Sequence, residues 1–177
     1  TAPSSPLADQ YYSMSAYQLG PEIIKFSAKA CDDLSAGGVD RSNPNFLRDA
    51  MQAVLSEDDA CFQFMVQLRN EDARMPVEDT TVRWSEKASS FVPVARVFIP
   101  SQQFDNPEQN ELCENLAYNP WHGTTAHKPL GKINELRRDL YLSTAAFRHG
   151  RNQVTETEPG SWCDALPSHC VNGEWQN

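Results

Sequence analysis

An α+β fold with antiparallel pairing is predicted by three features of the chain. Apolar and polar residues alternate over 23–31 and 61–68, and a β-branched run flanked by prolines fills 91–100. Helical apolar spacing occupies 44–56 and 130–149, and 107–116 has acidic helical character. The order strand, helix, strand, strand, helices lacks the regular alternation that builds a parallel sheet.

Each predicted element has a local cause. In the first strand Ile24, Phe26, Ala28 and Ala30 alternate with Lys25, Ser27 and Lys29, the pattern of a half-buried strand. The loop that follows carries Gly-Gly and Asn-Pro punctuation. The first helix presents Phe46, Leu47, Ala50, Ala53, Val54 and Leu55, with Ser42 or Asn43 as cap and Pro44 in its first turn. The second strand sets Phe62, Phe64, Val66 and Leu68 against Gln63 and Gln67. In the last helix Ile133, Leu136, Leu140 and Phe147 recur at helical spacing and are expected to face the core. Residues 1–10 read as a terminal loop and 160–177 as a polar tail.

Composition narrows the function. A chain of 177 residues with 40% hydrophobic and 22% charged residues is globular and expected to be soluble. Its net charge of -9 argues against nucleic acid or an anionic membrane as principal partner. No apolar run approaches the roughly 20 residues of a bilayer span. The first residue is Thr1, which suggests a processed product or a piece of something longer. Five cysteines are an odd number for a disulfide scaffold. Cys61 lies in an apolar run and is expected as a core thiol, and the cysteines as a set read mostly that way. Cys163 and Cys170, close together in the tail, are a candidate disulfide, with a zinc site using His169 the weaker alternative. An oxidised pair would favour a periplasmic or secreted location over the cytoplasm.

Chemistry concentrates in the last helix. Arg137 and Tyr141 stand four residues apart on one face, and Arg148, seven beyond Tyr141, falls on the same stripe. Guanidiniums beside a phenol favour its anion, a hard ligand for ferric iron. The competing reading is a packed tyrosine with solvated arginines. His122 and His127, five apart around Gly123, cannot share a regular helix face, and nothing places Cys113 and His122 together as a nucleophile pair. No glycine-rich phosphate loop or nucleophile elbow is present.

The stretches Phe64-Met-Val-Gln-Leu, Trp84, Phe91-Val-Pro-Val-Ala-Arg-Val, Ala117-Tyr-Asn-Pro and Arg137-x-x-x-Tyr141 together resemble the haem catalase superfamily. The closer likeness is to the small catalase-related proteins. It rests on Tyr12-Ser-Met-Ser-Ala-Tyr-Gln-Leu-Gly, Ala73-Arg-Met-Pro-Val-Glu-Asp, Asn119-Pro-Trp-His and His127-Lys-Pro-Leu-Gly-Lys-Ile-Asn. The resemblance covers roughly 11–159 and implies part of an antiparallel catalase-like β-barrel with flanking helices, holding haem b. It implies Tyr141 as axial iron ligand, Arg137 as the catalytic arginine at the phenolate oxygen, and Arg148 as a further cofactor contact. The helix departs from the family in reading Leu-Arg-Arg-Asp-Leu-Tyr. No segment resembles the first half of the barrel, from which catalases draw their distal histidine and asparagine. The chain is therefore expected to be a C-terminal half that supplies the proximal side, with an N-terminal half or companion chain as partner. Homo-oligomers are a further expectation. The implied substrate is hydrogen peroxide or an organic hydroperoxide. The alternative is a catalase-fold module without haem or activity, serving a structural or interaction role.

Overall fold

The computed structural model describes residues 5–32, 34, 40–156 and 159–175. The centre is an antiparallel sheet of β1 (Gln10–Tyr12), β2 (Tyr17–Leu19), β3 (Glu22–Ala30), β4 (Ala60–Leu68) and β5 (Val92–Ile99). The strands run in the order β1-β3-β4-β5, with β2 also pairing β3. Helix α1 (Phe46–Leu55) connects β3 to β4. Beyond the sheet come α2 (Pro107–Asn115), the long α3 (Lys132–Asn152), the short α4 (Trp162–Ala165) and a two-stranded ladder of β6 (Cys170–Val171) and β7 (Glu174–Trp175). This is α+β with antiparallel pairing, as the element order predicts. The sheet is open rather than a closed barrel, since among the described residues β5 pairs only β4.

The predicted strands and helices form within a residue or two of their expected ends at most sites. In α1 the cap is Asn45, with no side-chain cap bond, rather than Ser42 or Asn43. Asn43 instead accepts a hydrogen bond from the Asn45 N–H at 2.9 Å, which leaves Pro44 just outside the helix. In α2 Asn106 caps through its side chain, which accepts from the Gln109 N–H. The β4–β5 register shifts beside Pro93: Met65 faces Pro93 while Phe64 faces Ala95, leaving Val94 as the extra residue. A proline cannot donate to the ladder, so a bulge on an edge strand accommodates it.

Of the expected terminal loop over 1–10, residues 5–9 form turns with no strand or helix, and 1–4 lie outside the described residues. Leu7 is buried against Leu55, Ala60 and Phe62 in one core cluster, and Gln10 opens β1. A second cluster joins Ala16, Met75 and Trp84, with Ile23 and Leu130 packed on it. Trp84 is 2% exposed and its indole N–H donates to the Pro76 carbonyl at 3.1 Å. Trp84 of this cluster covers part of the sheet face expected to be polar, with its ring 5.1 Å from the Lys25 nitrogen and its carbonyl accepting from the Gln67 amide, while β1 covers the rest. Lys25, Ser27 and Gln67 are buried there rather than solvated. The Gln67 amide donates to the Ser89 carbonyl at 2.8 Å, and Ser27 to the Tyr11 carbonyl, also at 2.8 Å. Half-burial therefore holds only for part of β3 and β4.

Of the two disulfides, Cys163–Cys170 is the expected pair and Cys31–Cys61 is not. Cys61 is not a core thiol: it is bonded to Cys31 across the β3–β4 edge, with Cα atoms 5.5 Å apart. Cys163 and Cys170 form a second disulfide with Cα atoms 5.6 Å apart, which removes both as thiolate ligands for zinc. Cys113 is free and exposed. No described helix is long and apolar enough to cross a membrane.

Candidate functional site

Helix α3 sits in the protein with its polar stripe inward, the reverse of the expected arrangement. Ile133, Leu136, Leu140 and Phe147, the expected core face, are all exposed, Phe147 to 72% and Leu136 to 64%. The buried residues of α3 are Asn134 and His149. Asn134 belongs to the stripe of Arg137, Tyr141 and Arg148, since it lies three, seven and fourteen residues before them.

Both ends of the helix are tethered. At the start, the Lys132 N–H donates to the Glu78 carboxylate at 3.0 Å. A carboxylate there also meets the positive end of the helix dipole. Asn134 accepts from the Ser15 hydroxyl at 3.0 Å and donates to the Ala16 and Leu130 carbonyls at 3.2 and 2.8 Å. At the far end, His149 Nε2 pairs with the Asn115 carbonyl at 2.8 Å, and the Asn152 amide donates to Asn115 Oδ1 at 2.9 Å.

Between these tethers stands Arg137. One guanidinium nitrogen donates to Asn134 Oδ1 at 3.0 Å and to the Tyr17 hydroxyl at 3.4 Å; the other reaches the Tyr141 hydroxyl at 3.5 Å. These contacts, that to Tyr141 foremost, hold the arginine above its ordinary proton affinity and keep it cationic. Arg148 does not join the pair as the spacing alone suggested. Its guanidinium donates to the Leu116 carbonyl, and its Nε is buried without a hydrogen-bond partner among the described residues. It does share with Tyr141 a cavity of about 640 Å³, walled also by Tyr118, Phe147, Arg151 and Thr144. That size falls in the range of about 300–1,000 Å³ usual for small-molecule sites.

The donor set fits a haem. A phenol oxygen backed by a permanent cation can bind iron as the anion, and apolar walls beside two guanidiniums suit a flat apolar ring bearing carboxylates. The other sequence candidates form no such centre. His127 Nδ1 hydrogen-bonds the Thr124 hydroxyl at 2.9 Å. Among the described residues no group of three or more His, Cys, Asp or Glu could hold a metal ion.

Tyr17, Ser15 and Asn134 carry the site yet were not singled out from the sequence. For Asn134 the signal was present, in its spacing from Arg137 and Tyr141. Ser15 and Tyr17 lie within the Tyr12–Gly20 stretch that carries the resemblance, but only the tertiary fold brings Tyr17 to Arg137, 120 residues on.

No protein-family model matches the chain, and no curated protein matches it in sequence. Solved structures do. A fungal catalase superposes with a TM-score of 0.70 at 15% identity, covering 85% of this chain and 33% of its own. A bacterial catalase gives 0.70 at 20% identity, covering 85% and 32%. Catalase A from Saccharomyces cerevisiae gives 0.69 at 16% identity, covering 85% and 34%. The chain thus has a catalase-like fold over most of its length. It spans about a third of the length of these catalases.

Proposed function

We propose that this chain is the proximal part of a catalase-related haem protein that acts on hydrogen peroxide or an organic hydroperoxide. The observation that carries the reading is the Arg137–Tyr141 pair at the edge of a cavity that Arg148 and Arg151 also line. Tyr141 would offer its phenolate oxygen as the ligand to haem iron. Arg137 would donate to that oxygen, spreading its charge and fixing its direction, while Asn134 and Tyr17 hold the guanidinium in place. Arg148 and Arg151 would face the carboxylates of the macrocycle. Bound haem b would supply the redox chemistry that cleaves the peroxide bond. A distal base would come from an N-terminal half or companion chain, and homo-oligomers are part of the same reading.

The test is haem titration of the protein followed by visible spectroscopy. A Soret band with charge-transfer bands that vanish or shift in Tyr141→Phe is the expected result; no Soret band at all ends the proposal. The exposed stripe of Leu136, Leu140 and Phe147 favours a second reading, a catalase-fold module with a structural or interaction role. Under that reading Tyr141→Phe changes nothing in the visible spectrum.

A further inference from the structure

The most enclosed amine of the described chain lies away from α3. Lys25, on β3, is only 8% exposed. It stands opposite Gln67 of β4, and both line a cavity of about 310 Å³ with Tyr12, Met14, Trp84 and Phe91. The Lys25 nitrogen lies 5.1 Å from the centre of the Trp84 ring. Its one hydrogen bond among the described residues is a long one, to the Val82 carbonyl at 3.4 Å.

Three neighbouring polar groups are already engaged. Ser13 Oγ accepts from the Phe26 N–H at 2.9 Å, the Gln67 amide is spent on the Ser89 carbonyl, and the Thr81 hydroxyl donates to Asp79 at 2.6 Å. Arg83, at the rim, pairs with Glu86 at 3.0 Å. The charged group that acts on the amine is thus Asp79, which favours its protonation. A lysine with spare capacity, facing aromatic walls, has the surroundings of a nucleophilic amine rather than of an anion anchor. Burial lowers its proton affinity, Asp79 only partly opposing, so the neutral amine forms more readily than on an exposed lysine.

We propose that Lys25 is a covalent capture site for aldehydes and small ketones with an apolar body. The nitrogen lone pair attacks the carbonyl carbon and the C=O π pair moves to oxygen. That oxygen takes one proton from the nitrogen and one from solvent and leaves as water, while the nitrogen returns its second proton to solvent, giving a neutral C=N bond. One amine and one carbonyl compound yield one imine and one water, with no oxidant or reductant needed. Tyr12, Trp84 and Phe91 would hold the apolar body of the ligand, so an anionic carbonyl compound is a poor one.

The experiment incubates the full chain with benzaldehyde and cyanoborohydride, which reduces an imine to a stable secondary amine, and maps labelled lysines by peptide mass over time. Lys25 should be labelled several-fold faster than Lys87, Lys128 and Lys132. Glyoxylate should show no such preference. In Lys25→Arg, which keeps a cation over Trp84, one label should be lost while the other lysines react as before. Lys25 labelled no faster than the other lysines overturns the proposal, and so does equal selectivity with glyoxylate. Loss of several labels at once in Lys25→Arg also overturns it, because the selectivity would then not reside at this amine.

Discussion

In the sheet, β3 and β4 are covered on both faces over much of their length, so that even Lys25, Ser27 and Gln67 are buried. Along α3 the largest apolar side chains stay exposed, and the residues that reach inward are Asn134, Arg137, Arg148 and His149. One region is held by packing, the other by hydrogen bonds at its two ends. The difference shows that an apolar stripe does not by itself say which way a helix faces. A set of polar partners with fixed positions, such as Glu78, Ser15 and Asn115, outweighs it when nothing among the described residues covers the stripe. Stripe and cavity share Phe147, so the uncovered face is continuous with the proposed haem site.

Paired truncations test this contrast most severely. Trp84→Ala should cost about 3–5 kcal/mol, because it empties a buried site and strands the Pro76 carbonyl. Phe147→Ala should stay within about 0.5 kcal/mol, as an exposed substitution does. Guanidinium unfolding curves of the two variants decide it, and comparable losses would break the comparison. Removing the Cys31–Cys61 bridge by double alanine substitution should cost about 3–4 kcal/mol for its separation of 30 residues. The Cys163–Cys170 bridge, separated by 7, should cost about 2–3 kcal/mol. Asn134→Ala should cost about 1–3 kcal/mol by leaving the buried Ser15 and backbone groups unpaired. It should also loosen Arg137, which thermal unfolding together with haem titration would register.

The longer strands and helices were legible because their signals are local: alternation in Ile24 to Ala30, helical spacing in Phe46 to Leu55, and Pro107 at the start of α2; the short β1, β2, α4, β6 and β7 were not. Arg137 and Tyr141 were legible for the same reason, being four residues apart on one helix. What failed was whatever depends on a distant segment. Cys31 and Cys61 meet only once β3 and β4 pair. Lys25 and Gln67 read as solvent-facing, because the chain between Arg69 and Phe91 that covers them carries no strand or helix pattern. The orientation of α3 was misread because the apolar stripe is the louder periodic signal, while the tethering residues are polar and far apart in sequence. The open sheet was likewise hidden, since strand patterns do not reveal whether a last strand finds a further partner.

The smallest expected effect sharpens the burial half of the comparison. Lys25 has a folded pKa below its ordinary 10.5, chiefly because burial disfavours the ammonium. Between the folded and unfolded values the unfolded chain binds more protons at this site, so unfolding free energy rises with pH across that window. Below the window both states carry the proton and the native ammonium keeps its full desolvation penalty; above 10.5 both have lost it and the penalty is gone. Other groups titrate in the same range, so the informative quantity is the difference between the native chain and Lys25→Met. The stability advantage of Lys25→Met should shrink as pH is raised toward 10.5, read from denaturant unfolding at a series of pH values. An advantage that stays constant would mean that the amine is solvated in the native state, and that this face of the sheet is covered less completely than its packing indicates.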